Sequence, residues 1–220
     1  KAHGLAAVKL CEAFAKKGHE VTLVVPWRVN AASGDAYDYY GVERNFTIVR
    51  LPSIDMLWLG AGERLFFLIQ LFSFAASAMF WLAVQRMSGK ARTAVIFSHD
   101  HIPLFFASFI APNIFYDIHH YPEKTVFYTR VLQKAAGIAV QTKWKVKKLR
   151  EEFGIPEKKI VYWPNGTEVA RFDTGMSQKE ARARLGLPAD KNIALYTGQL
   201  FRWKGVGTLI EAGKFLPDDV

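Results

Sequence analysis

Gly4 to Pro26 read GLAAVKLCEAFAKKGHEVTLVVP. Leu5, Val8, Cys11 or Glu12, Phe14 and Ala15 recur at helical spacing, and Gly18 stands where a helix C-cap is expected. The VTLVVP that follows is a short β-branched run, of the kind a strand buried on both faces of a parallel sheet shows. The spacing therefore predicts a helix over 4–17 and a strand over 21–26, which is one α/β unit.

The same punctuation repeats downstream. Strands are predicted at 45–51, 94–98, 113–117, 137–141 and 159–163, with helices between them. That alternation predicts a doubly wound, Rossmann-like parallel sheet. From 164 to 191 the chain turns polar, broken by Asn165-Gly166, Gly175 and Pro188 around a short helix, SQKEARARLG. NIALYTGQL (192–200) reads as a new strand ending at Gly198, and 204–215 as a helix. The expected organisation is an α/β domain over 1–170, a linker with a short helix over 171–190, and the start of a second Rossmann-like domain over 191–220. The chain starts with Lys and stops just after the last helix-like stretch, so both ends read as cut.

At 220 residues and half apolar, the chain is long enough for a sizeable core and is not a disordered tract. Its net charge of +9 suits an anionic partner: nucleotide phosphates, nucleic acid or an acidic membrane surface. No recognisable nucleic-acid motif accompanies the charge, so a nucleic-acid partner is not expected. Part of the charge sits in Lys143, Lys145, Lys147, Lys148 and Arg150, which also reads as a solvated helix face. The single cysteine, Cys11, permits no intrachain disulfide and reads as core, in keeping with a cytoplasmic chain.

Residues 65–84, LFFLIQLFSFAASAMFWLAV, reach the length of a transmembrane helix without a charge. Gln70, Ser73 and Ser77 interrupt the run, and a strand follows it closely. A true span would put the strands before and after it on opposite sides of a bilayer, which one sheet cannot tolerate. A packed or membrane-contacting helix is the expectation, with the protein cytoplasmic and peripheral on the membrane's inner face.

The stretch 196–212, YTGQLFRWKGVGTLIEA, carries the clearest chemistry. A strand is expected to end at Gly198 and a helix to open near Gly205, with Arg202 and Lys204 just ahead of it. Free backbone N–H groups and fixed cations there could hold a diphosphate without a metal. An ordinary βα connection with exposed basic residues fits the spacing equally well. Two histidine groups, His99-Asp100-His101 and Asp117-Ile118-His119-His120, follow predicted strands, at the carboxyl edge where open α/β sheets bind ligands. With no cysteine partner and no i,i+4 histidine pair, no metal site is expected there.

The segment from Val140 to Ala212 resembles the family 4 retaining glycosyltransferases of GT-B fold. It carries Val140-Gln141-Thr142, Lys147, Leu149, Phe153-Gly154-Ile155-Pro156, Lys159-Ile160, Val161 to Glu168 with its Pro164-Asn165-Gly166 core, Phe172, Gly198-Gln199-Leu200, Lys204-Gly205-Val206 and Leu209 to Ala212 in the family's order. The opening helix and strand are also similar to that family's.

The resemblance implies transfer of a sugar from a nucleotide diphosphate sugar to an acceptor hydroxyl with retention, needing no cofactor beyond that co-substrate. Gly198, Arg202, Lys204 and Gly205 would hold the donor diphosphate. Gln199 stands where many members carry Arg, so one phosphate contact is in doubt. His119, with His120 as the register alternative, would lie beside the transferred sugar. Asn165-Gly166 would form the interdomain turn, and His3-Gly4 would be the remnant of a glycine-rich loop. The acceptor could be a glycan, a lipid-linked molecule or a small molecule. As a fragment, the chain is expected to be inactive. The alternatives are a nucleotide-sugar epimerase of the same fold and a non-catalytic, membrane-associated binding module.

Overall fold

The computed structural model describes residues 2–29, 34–59, 63–167 and 169–217. The chain divides into two compact units, Lys1–Asn165 and Gly166–Val220. The first holds α1 (Ala2–Lys16), β1 (Thr22–Pro26), α2 (Ala36–Tyr40), β2 (Thr47–Leu51), α3 (Glu63–Met87), β3 (Ile96–Ser98), α4 (His101–Ala107), β4 (Ile114–Ile118), α5 (Val126–Lys134), β5 (Gly137–Val140), α6 (Lys143–Phe153) and β6 (Ile160–Tyr162). Each strand predicted in this unit is present, shortened by a residue or two at one or both ends, except β4, which is shifted one residue toward the C-terminus.

All pairings are parallel, in the orders β1-β2 and β3-β4-β5-β6. The expected single sheet is thus present as two hydrogen-bonded pieces, since no described residue pairs with both β1 and β3. Phe14 of α1 meets Phe97 of β3 at 6.0 Å, so α1 spans the junction.

The core forms where β-branched strands meet apolar helix faces. Ile114, Tyr116 and Ile118 of β4 and Ile138 and Val140 of β5 are buried with Leu104 of α4, Val131 and Leu132 of α5 and Leu149 of α6. β4 and β5 are the inner strands, covered on both faces, which is why β5 reads as an unbroken apolar run and β4 is interrupted only by Asp117. Gly137 opens β5 directly opposite Phe115, and a Cβ there would lie 2.5 Å from the Phe115 ring.

The helix ends follow their local chemistry. Thr142 caps α6 by accepting from the Lys145 amide, and Gly154 ends it in the left-handed region at φ 64°. On α1, Glu12 rather than Cys11 faces fully inward. It accepts from the Glu43 amide at 2.9 Å and pairs with Lys9 and Lys16. Cys11 is half-buried, and burial pushes its thiol up to about 11, which makes it unreactive. Past β6, the Trp163 amide donates to the Val140 carbonyl at 2.8 Å and its ring meets Phe97 at 6.4 Å.

The second unit holds α7 (Val169–Phe172), α8 (Gln178–Leu185) and α9 (Val206–Ala212). Ser177 and Glu180 form a reciprocal capping box at the start of α8. The strand expected at 192–200 does not form: those residues have no regular secondary structure. A parallel strand needs a neighbour to satisfy its backbone groups, and this unit has no other strand among its described residues.

Candidate active site

β3, β4 and β5 end side by side, and the residues that follow them converge. Asp117, the penultimate residue of β4, is buried. Its Oδ2 lies 3.1 Å from Nδ1 of His99, just past β3, and 3.3 Å from Nε2 of His119, just past β4. The two imidazoles meet edge to face at 4.5 Å. The other carboxylate oxygen, Oδ1, accepts from Gln141 Nε2 at 2.6 Å. The His99 contact has ion-pair distance but not hydrogen-bond geometry, and His99 Nδ1 is buried without a hydrogen bond.

Lys145 fixes this arrangement from below. It lies in the first turn of α6, four residues after Gln141, and its Nζ donates to Gln141 Oε1 at 2.8 Å and to the carbonyls of Ile118 and His119 at 2.9 and 2.8 Å. Three ammonium protons thus meet three acceptors. Burial pushes the Lys145 pKa down, and the Asp117 carboxylate pulls in the opposite direction. This overturns the reading of 143–150 as a wholly solvated face: Lys143 and Lys147 are exposed, but Lys145 points into the sheet edge. A run of basic residues conceals one such member, and only the i,i+4 spacing to Gln141 hinted at it.

Of the expected site residues, His119 joins the cluster and His120 is exposed beside it. His101 instead stacks on Tyr128 at 3.8 Å, and burial lowers its pKa. His99, Asp117 and His119 each offer a ligand atom, all within 4.8 Å of one another, so this is also where a cation could be held. Histidine and carboxylate ligands suit zinc-like ions.

The remaining expected residues lie elsewhere. His3 and Gly4 belong to the first turn of α1 rather than to a loop, and the His3 side chain lies outside the described residues. A Cβ on Gly4 would collide with the Tyr40 hydroxyl. The two units divide between Asn165 and Gly166. In the second unit, Gly198 adopts φ 149° and Arg202–Lys204 form a 3-10 turn. Gly205, left-handed at φ 74°, opens α9. Arg202 and Lys204 are exposed, and Lys204 Nζ lies 4.3 Å over the Trp203 ring.

The parallel α/β frame is of the GT-B glycosyltransferase class. Solved structures share the frame. A glycosyltransferase from Rickettsia africae ESF-5 superposes with a TM-score of 0.64 at 13% identity, covering 99% of this chain and 54% of that one. Anabaena Alr3699/HepE, solved in complex with UDP, gives 0.61 at 15% identity over 99% of this chain and 55% of its own. The sequence model of Glycosyltransferase Family 4 matches residues 5–171, and the chain belongs to that family. The D-inositol 3-phosphate glycosyltransferase of Nocardiopsis dassonvillei (strain ATCC 23218) is 31% identical over 87 residues, 40% of this chain and 20% of the relative. Matches to curated relatives span only 17–27% of those proteins' lengths.

Proposed function

We propose that the chain is part of an enzyme that moves a glycosyl group from a nucleotide diphosphate sugar to an acceptor hydroxyl, with retention and without a metal. The observation that carries the reading is the His99–Asp117–His119 cluster at the carboxyl edge of a family 4 chain. The UDP complex of a protein with the same fold favours a nucleotide-sugar donor.

In this reading the bond from the anomeric carbon to the leaving diphosphate breaks while a bond from the acceptor oxygen forms on the same face. The acceptor proton passes to a leaving phosphate oxygen. Transition-state charge is positive on the sugar and negative on the diphosphate. His119, oriented by Asp117, serves the sugar. Lys204 and Arg202 neutralise the diphosphate, and Gly198 and Gly205 allow the backbone to approach it. Asn165-Gly166 is the hinge. The acceptor is a glycan, a lipid-linked molecule or a small molecule. The protein works in the cytoplasm, with an anionic membrane surface as a further partner.

The test is a transfer assay on the full-length protein with nucleotide diphosphate sugars, with and without acceptor and with and without EDTA. The expected product keeps the donor's anomeric configuration and forms only with acceptor, EDTA having no effect. An epimerised sugar without acceptor would make the protein an epimerase, and loss of turnover in EDTA would make the reaction metal-dependent. The 220 residues alone are expected not to turn over.

A further inference from the structure

α3 is 25 residues long, about 37 Å at the helical rise. From Leu65 to Gln85 it carries no charged side chain. One side of it is held: Gln70, Ala75 and Leu82 are buried, α4 and β2 pack against it, and the Phe72 ring meets Phe106 and Phe127 at 6.3 and 6.0 Å. The other side is an exposed apolar stripe. Leu65 and Leu68 near one end and Phe80, Val84 and Met87 near the other lie exposed on it, and Phe80 is 73% exposed. Trp58, in the turn before the helix, is 66% exposed and widens the patch. A face this long and dry needs a cover.

The charges around it choose the cover. Between 51 and 98 the bases are Arg64, Arg86, Lys90 and Arg92, and the acids only Asp55 and Glu63. Asp55 has its side chain buried against Arg28, 3.7 Å away. Arg64 is exposed at one end of the stripe, and Lys90 and Arg92 at the other. Two copies packed stripe to stripe, in either direction, would oppose base to base. Anionic headgroups would instead meet the basic residues while acyl chains took the stripe. The helix passes the length and hydropathy requirement for a span. Yet β2, which precedes it, and α4, which follows it, both pack on it within one unit, and a span would part them.

We infer that α3 is a monotopic membrane-contact helix, lying in the plane of an anionic bilayer with Leu65, Leu68, Phe80, Val84 and Met87 in the acyl layer and Arg64, Lys90 and Arg92 at the headgroups. This rests on the membrane partner named under the proposed function and assigns its surface and its mode.

The experiment is flotation of the folded chain with phosphatidylcholine vesicles, with and without phosphatidylglycerol. Wild type, Leu65→Glu/Phe80→Glu and, on α6, Lys143→Glu/Lys147→Glu are compared after circular dichroism shows equal helix content. Wild type and the α6 variant should float with the anionic vesicles and be released by alkaline carbonate. Partition of the α3 variant should fall about tenfold or more through loss of apolar insertion. If only the α6 variant loses binding, the α3 surface is refuted and the membrane partner survives. If wild type does not float, the membrane partner falls too; a wild-type dimer split by the α3 variant would then assign the stripe to a second copy. Retention through carbonate extraction would make α3 a span and overturn the in-plane mode.

Discussion

Replacing Lys145 with methionine keeps the length of the side chain and removes its ammonium. Two carbonyls, of Ile118 and His119, and the Gln141 amide oxygen then lose their donor. Three acceptors without a partner cost about 3–9 kcal/mol together, while no longer burying an ammonium recovers several, so the net loss of stability is about 2–4 kcal/mol. Urea unfolding followed by circular dichroism should show a lower midpoint with an unchanged slope. Lys147→Met, exposed on the same helix, should stay within about 0.5 kcal/mol of wild type. The His119 imidazole resonances should move in the first variant and not in the second, because Lys145 holds the His119 carbonyl. A loss under about 1 kcal/mol with His119 unmoved would refute the reasoning, since it would mean that the Lys145 bonds add nothing beyond what water supplies.

In the full-length protein, Lys204→Ala should cut transfer about tenfold or more through loss of a charge-assisted phosphate contact, as steady-state kinetics would show; unchanged kinetics would remove Lys204 from the mechanism. His119→Ala should lower kcat more than donor affinity, and loss of folding alone would make this histidine structural. Glu12 is held below its ordinary 4.5, chiefly by the Glu43 amide and further by Lys9 and Lys16. It therefore adds stability above that pH which is lost as pH falls through the depressed folded value, and an acid titration of Glu12→Gln should show a shallower decline there. Gly137→Ala should destabilise by about 1–3 kcal/mol, because the new methyl meets the half-buried Phe115 ring at 2.5 Å, and thermal unfolding would measure it.

The first unit was legible because its strands are short β-branched runs set off by glycines, and β4 and β5, buried on both faces, announce themselves most clearly. The 192–200 run has the same composition and forms no strand, because composition records a preference for pairing and not whether a partner exists. His119 was legible from its place after β4. Gln141 and Lys145 were not: one ends a strand and the other lies among exposed cations, and only the β4–β5 register brings them beneath Asp117. α3 was legible as an apolar helix with a choice of surroundings, and its packed side against α4 shows which half of it the protein itself covers.

Trp163 stands two residues before the point where the chain divides, tied to Val140 by its amide and to Phe97 by its ring, yet 43% exposed. An indole so placed is an optical probe that needs no label. Its backbone is fixed, so changes in its emission would register what surrounds the ring rather than movement of the strand. Comparing the intact protein with Trp163→Phe would isolate that signal from the other tryptophans. A titration with nucleotide would then show, as a change in colour, whether the surroundings of the ring alter.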